Sequence, residues 1–569
     1  MLRRKLLGAG LAYAMLLPTF AFAQAAQVAS TAPVKAEKVY TAPPDVIEKI
    51  KDEGLNKSQI MGTLSHLVDV IGPRLTNSPN MKRANEWTRD TMTKWGMQNA
   101  KLEAWGPWGR GWSLNSFHAQ VIAPQNIAVI AYPKAWSTST KGAVTAEVVH
   151  FNPQTEAEME KFKGQLAGKI VLVGDIREVK ADFGGMGTRR TEDDLKKMAD
   201  WTPQPAAQGG GPRGGNPNAP QGALSNAKRW NFLLSEGVAV VADSSSKGSG
   251  GTLFVSGATA VPEIPAEGAT PAGPRSQIRV YDKAAESRII PQMTMTIEDA
   301  NRLIRMMRAG VKPKMTVNID ARYHDEDLMG YNTIAEIPGT DPKLKDEIVM
   351  VGAHLDSWHS AGGATDNAAG SAVAMEAARI ILAAGLKPRR TIRVALWSGE
   401  EQGLNGSREY VKQQFGELKN APGFGPPQPN APKPELVTMP NYDKLSVYYN
   451  LDNGTGKVRG VYMQGNPAVK PYFEAWLAPF TANGATTLTL QNTGGTDHLS
   501  FDRIGLPGFQ FIQDEVEYST RTHHSNQDNY DRIQADDMKQ AATVMAAFVY
   551  QSAMMDEKMP RKASPVPIP

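Results

Sequence analysis

The 569-residue chain has no cysteine. Disulfides and thiolate metal sites are therefore excluded, and any metal must be held by His, Asp and Glu, a donor set that suits hard or borderline divalent ions, zinc first. Charge of one sign is lacking too, since 62 Lys and Arg stand against 58 Asp and Glu, for a net +4. That balance leaves no electrostatic footprint for nucleic acid. Long apolar runs are scarce. Leu6 to Phe20 follows Arg3, Arg4 and Lys5 and precedes Ala21-Phe22-Ala23, the pattern of a cleaved secretory signal over residues 1–23. Its apolar body is short for a bilayer span, so no membrane attachment is expected after removal. Loss of those three cations takes the mature chain from +4 to +1. A periplasmic or secreted location follows from this reading.

A chain of this length exceeds one ordinary core, so two domains are expected. Residues 24–121 read as the N-terminal part of a catalytic domain. Within them Ile60, Leu64, Leu67, Val68 and Ile71 share one helical face, and Ala84, Trp87, Thr88, Met92 and Trp95 another. From 122 to 320 the texture changes to short Val- and Ala-rich strands such as Lys169 to Gly174, a β-rich insert without a cluster of metal ligands. It reads as a lid or substrate-shaping domain. Its Gly/Pro-rich stretch 203–222 is low-complexity and reads as a disordered or mobile loop. Residues 321–569 complete the catalytic domain, interrupted by a Pro-rich stretch, Ala421 to Pro440, expected to be a long surface loop. The fold class predicted is α/β, a mixed, mostly parallel sheet flanked by helices.

The most informative stretch is Ile348 to Ser407. Ile348 to Ala353 is a continuous apolar run, the mark of a strand buried on both faces, and it delivers His354 and Asp356 at its end. Asp366 opens an Ala-rich helix to Ala384, which Gly385 caps and Pro388 stops. The next strand, Thr391 to Trp397, leads into Glu400 and Glu401. One βαβ unit thus brings a His and four carboxylates to the sheet edge where open α/β folds place their sites. Adjacent acids on a regular strand would face opposite ways; in a loop they can divide metal binding from general-base work. Further on, Asp452 follows another strand, and His523 and His524 form a pair.

The plausible ligands are His354, Asp366, Glu401, Asp452 and His524, with Glu400 spare. Five ligands suit two metal ions if Asp366 bridges, with His354 and Asp452 on one side and Glu401 and His524 on the other; co-catalytic ions lie roughly 3.5–4 Å apart. Asp356 is better placed to fix the His354 imidazole than to bind metal. His359 and the pair Asp497-His498 read as structural at least as readily as functional.

The blocks HLDSW (354–358), TDNAAG (365–370), WSGEEQGLNGS (397–407), NLDNG (450–454), GTDHLSF (495–501) and HHSNQD (523–528) resemble, in content and order, the zinc-aminopeptidase family of co-catalytic metallopeptidases, most closely its carboxypeptidase Q branch. The resemblance implies two zinc ions, Asp366 as bridge, Glu400 as general base, a protease-associated domain as the insert, and a possible homodimer. Many family members have Tyr just before the last ligand, donating to the tetrahedral intermediate; here that position is His523. The implied activity is exopeptidase action on short peptides or dipeptides. The alternatives are aminopeptidase action on longer peptides, a one-zinc glutaminyl cyclase, and a non-catalytic receptor-like relative.

Overall fold

The computed structural model describes residues 39–203, 224–263, 278–420 and 432–562. The expected signal at 1–23, nearly all of the 203–222 stretch, and 421–431 of the second Pro-rich stretch lie outside the described residues. The strands of the principal sheet are β1 (Gln98–Trp105), β2 (Gly330–Ile337), β3 (Ile348–His354), β4 (Thr391–Trp397), β5 (Leu445–Asn450), β6 (Val458–Tyr462), β7 (Thr487–Thr489) and β8 (Gly508–Gln513). Their order is β1-β2-β4-β3-β5-β8-β6-β7. The centre, β4-β3-β5-β8, is parallel throughout, while β1, β2 and the β8-β6 pair run antiparallel. The sheet is mixed, with its parallel part where the βαβ pattern was read.

Alternation along β3 and β4 explains why both faces are apolar. Val349, Val351, Ile392, Val394 and Leu396 enter one core cluster, and Met350, Ala395 and Trp397 enter the other. Every residue of β3 is buried. On the first face lie the helices α1 (Pro79–Lys94), α2 (Ala369–Ala383) and α3 (Ala535–Met554). Ser78 caps α1 by accepting the Met81 N–H at 3.2 Å, with Pro79 at the first helical position. The small residues of α2 let it lie close under the sheet against α3, and Gly385, at φ +69°, ends it. The expected stripe Ile60, Leu64, Leu67, Val68 and Ile71 is buried in the same cluster. Among the described residues no helix is long and apolar enough to cross a membrane.

A second sheet intervenes between β1 and β2 in sequence. Its two long strands Gly111–Ala123 and Lys314–His324 pair antiparallel; from Val144–Phe151 onward, Ile170–Val173, Val240–Ser244 and Gln292–Met295 join in parallel. It extends past 122–320 at both ends, because the paired strands Gly111–Ala123 and Lys314–His324 carry the chain in and out. One expectation needs correcting in the principal half: Ala421 to Pro440 is not loop throughout, since Glu435–Thr438 pairs with Gly416–Lys419 as a small antiparallel ribbon.

Gly352 sits in the middle of β3, where an added Cβ would lie 2.1 Å from the Ala395 carbonyl oxygen and 3.1 Å from the Tyr448 hydroxyl. Gly352→Ala is expected to destabilise the protein by about 1–3 kcal/mol, seen as a lower thermal midpoint with unchanged cooperativity.

Candidate metal centre

β3, β4 and β5 end at the same edge, and their ends supply the site. His354 closes β3, Glu400 and Glu401 follow β4, and Asp452 follows β5. Asp366 lies in the tight turn Ala364–Ala368 ahead of α2, with φ −130° and ψ 86°, so the chain is still extended when it presents this carboxylate. His524 follows the turn Tyr518–Thr522 after β8 and holds φ +59°.

Asp366 lies between two pairs of side chains. Its Oδ1 is 3.4 Å from His354 Nε2, which is 3.4 Å from Asp452 Oδ1. Its Oδ2 is 3.3 Å from His524 Nε2, which is 2.9 Å from Glu401 Oε2. Glu400 Oε2 stands 4.0 Å from His354 Nε2. His523 Nε2 is 3.9 Å from Asp366 Oδ2, and its ring stacks on His524 with centroids 3.7 Å apart.

Burial and crowding of like charge govern the electrostatics. Burial first, then neighbouring carboxylates, push Glu400 and Glu401 well above the usual carboxylate range. Asp366 goes the other way: burial opposes its charge, but the nearby His354 imidazole and the pair His524 and His523 hold its pKa below the ordinary value. His354 is fully buried, yet Asp452 and Glu400 keep its pKa well above that of a free imidazole. Burial lowers His523 to about 4, so its ring is neutral near pH 7.

These residues fit a divalent cation. His354 Nε2, Asp366 Oδ2 and Glu401 Oε1 are buried without hydrogen-bond partners, and the trio His354, Asp366 and Glu401 can offer ligand atoms within 4.8 Å of one another, as can Asp366, His523 and His524. The donors are nitrogen and oxygen only, as a zinc site without thiolates requires.

The carboxylate of Asp356 has a different position from the one expected. The His354 imidazole bonds through Nδ1 to the Asp356 backbone carbonyl at 3.0 Å, with the carboxylate Oδ1 at 3.6 Å. Both carboxylate oxygens are engaged elsewhere: they accept the N–H groups of Glu400 and Glu401, each at 3.3 Å, and the Thr76 hydroxyl at 2.9 Å. Asp356 therefore holds the loop carrying the paired glutamates more directly than it holds the imidazole.

Four contributors were not singled out in the sequence. Buried Arg74 donates to the carbonyls of Leu355, Leu67, Gly72, Gly362 and Gly363, fixing the loop between His354 and Asp366. Asp528 accepts the N–H groups of Thr365 at 2.7 Å and Asp366 at 3.0 Å, and burial, together with Asp366, pushes its pKa up to about 7. The Tyr518 hydroxyl lies 3.5 Å from Asp452 Oδ1. Lys247, from the second sheet, lies 3.5 Å from His523 Nδ1. Only Asp528, inside the HHSNQD block, carried a local signal. His359 and His498 hold to carbonyls, Pro133 at 2.7 Å and Thr493 at 3.1 Å, and are structural.

Asp356→Ala removes the acceptor of two loop N–H groups and is expected to weaken zinc binding about 10–100-fold. Competition with a chelator at fixed pH checks this.

Residues 332–549 match the sequence model of Peptidase family M28. Carboxypeptidase Q from Pongo abelii is 25% identical over 503 residues, covering 88% of this chain and 86% of that protein. Among solved structures, a peptidase M28 precursor from Shewanella amazonensis superposes with a TM-score of 0.60 at 20% identity, over 91% of this chain and 99% of that one. A zinc aminopeptidase from Bacillus subtilis gives 0.51 at 18% identity, over 89% and 96%. These two structures share the fold. The segment 332–549, which contains all five candidate ligands and both glutamates, belongs to peptidase family M28, and the chain that carries it is a metallo-exopeptidase.

Proposed function

We propose that this chain is an exported exopeptidase that hydrolyses short peptides or dipeptides with two zinc ions and Glu400 as general base. The observation that carries the reading is Asp366, whose two oxygens face the two histidines of separate ligand pairs. His354 and Asp452 would hold one ion, Glu401 and His524 the other, and Asp366 both. The chemistry such ions supply is Lewis acidity, which lowers the pKa of water and polarises a carbonyl.

The protein's own groups would do the rest. Glu400 lies beside the His354 end without a bonded partner of its own among the ligands, free to take the proton from the attacking water and pass it to the leaving nitrogen. Burial raises its pKa, the direction that makes the carboxylate a better proton acceptor. His523 is placed to donate to the developing oxyanion: an ammonium can only donate, so Lys247 at Nδ1 leaves that nitrogen as acceptor and the proton on Nε2, the atom that faces Asp366. The Tyr518 phenol is a second donor in the same cleft.

The sequence pattern at 1–23 supports export, and the β-rich second sheet supports an inserted protease-associated domain. The resemblance of the sequence blocks to carboxypeptidase Q favours short substrates, and that protein is similar over most of the chain.

Purified mature protein is expected to bind two zinc ions per chain and to hydrolyse dipeptides. Glu400→Ala should keep both ions and lose turnover; one ion with cyclisation of N-terminal glutamine would overturn the reading. His523→Ala should lower kcat by about 10²–10³ with zinc retained. Unchanged turnover in that variant, with loss in Tyr518→Phe, would move the donor role to the phenol.

A further inference from the structure

One loop of the second sheet brings a cation to His523. After the strand Val240–Ser244, the loop to Thr252 is held at several points: Ser245 donates to the Lys247 carbonyl at 2.8 Å and accepts the Phe254 N–H at 2.8 Å, Arg177 donates to the Gly248 carbonyl at 2.7 Å, and Gly250 N–H donates to Glu298 at 2.8 Å. Gly248, at φ +82°, brings the backbone so close to the Phe254 ring that a Cβ would lie 2.6 Å from it. The loop therefore has a defined shape, and it presents Lys247. The ammonium lies 4.2 Å over the Phe254 ring and 3.5 Å from His523 Nδ1. Among the described residues it has no carboxylate within 4.0 Å, and the residue is exposed.

An exposed ammonium held one imidazole away from the central carboxylate gives the site two signs of charge. Glu400, Asp452 and buried Asp497, whose pKa burial raises to about 7, lie on the side of His354. Lys247 lies on the side of His523. A peptide with free ends has the opposite pair, an ammonium at its start and a carboxylate at its end, and only one orientation matches both. One residue of extended chain spans about 3.3–3.6 Å, so the α-carboxylate one residue past the bond being cut comes within reach of a lysine stem with four rotatable carbons.

The geometry points to Lys247 as the group that binds the free α-carboxylate of a dipeptide substrate, which makes the second sheet the source of substrate-length selection. This deepens the exopeptidase reading and rests on it for the position of the scissile bond. The cation–ring contact keeps the ammonium on its loop without neutralising it, leaving its donors for the incoming carboxylate.

The test is calorimetric binding to the zinc-loaded, full-length Glu400→Gln protein, which needs no turnover. Alanyl-alanine is expected to bind more tightly than alanyl-alanine amide. Adding Lys247→Ala should weaken the free acid roughly 10–100-fold and leave the amide unchanged, and Lys247→Arg should restore most of the difference. Equal binding of acid and amide in the parent protein, or equal weakening of both by Lys247→Ala, overturns the inference. In the enzyme with Glu400 intact, Lys247→Ala should lower kcat/KM more for dipeptides than for the corresponding dipeptide amides, whose smaller loss reports the His523 contact alone. Failure of the intact enzyme to cut any peptide would sink the hydrolase reading alone, because the acid preference and its loss in Lys247→Ala are read by binding.

Discussion

Burying several carboxylates against one another is the constraint from which the local structure follows. Asp356, Asp366, Glu400, Glu401, Asp452, Asp497 and Asp528 are crowded around the ends of three strands, and each would leave for water if the backbone let it. The backbone is prevented from yielding by donors aimed at the acids and by one cation aimed at carbonyls. Asp356 gathers the two N–H groups of the glutamate loop, and Asp528 gathers those of Thr365 and Asp366. Arg74 neutralises no carboxylate directly; it ties five carbonyls together, and burial lowers its pKa to about 10, partly offset by the surrounding acids. A cluster pinned in this way has its side-chain geometry set by the fold itself, through contacts outside the cluster.

The second sheet belongs to this arrangement as much as the first. Val255 N–H donates to the His524 carbonyl at 2.9 Å, Asn526 N–H donates to the Leu253 carbonyl at 3.0 Å, and Thr188 and Val516 exchange both backbone bonds at 2.8 Å. These contacts bracket the turn that carries His523 and His524. A non-glycine residue at φ +59° stays there only where its surroundings hold it, and His524 is held on both sides. His524 is thus positioned by contacts from the second sheet as well as from its own turn.

What could be read from the sequence follows from how local the determinants are. The βαβ unit was legible because an apolar strand, an Ala-rich helix, a glycine stop and a second apolar strand succeed one another within 60 residues, and strands of a parallel sheet must end at a common edge. The acids that follow β4 and β5 were legible for the same reason. Thr76 and Asp356 are 280 residues apart, and Arg74 and Leu355 are 281; no local pattern marks either contact. Lys247 was hidden differently: lysines on loops are common, and only the folding of one sheet against the other brings this one to a histidine 276 residues away. The two long strands of the second sheet, Gly111–Ala123 and Lys314–His324, are half polar and gave weaker apolar signals than the buried strands Ile170–Val173 and Gln292–Met295.

The pairing of Glu400 with Glu401 shows how a single buried acid can make two neighbours behave differently. Their N–H groups point to the two oxygens of Asp356, so their backbones are held together; with Gly399 at φ +70° and Gly403 at φ +113° on either side, the loop turns sharply enough for the side chains to separate. Glu401 reaches 2.9 Å to His524, and Glu400 stops 4.0 Å from His354. A strand continuing through these positions would have sent one side chain to each face of the sheet. By ending the strand at Trp397 and turning at glycine, the chain keeps both acids on the same edge, one in contact with His524 and one held just short of His354.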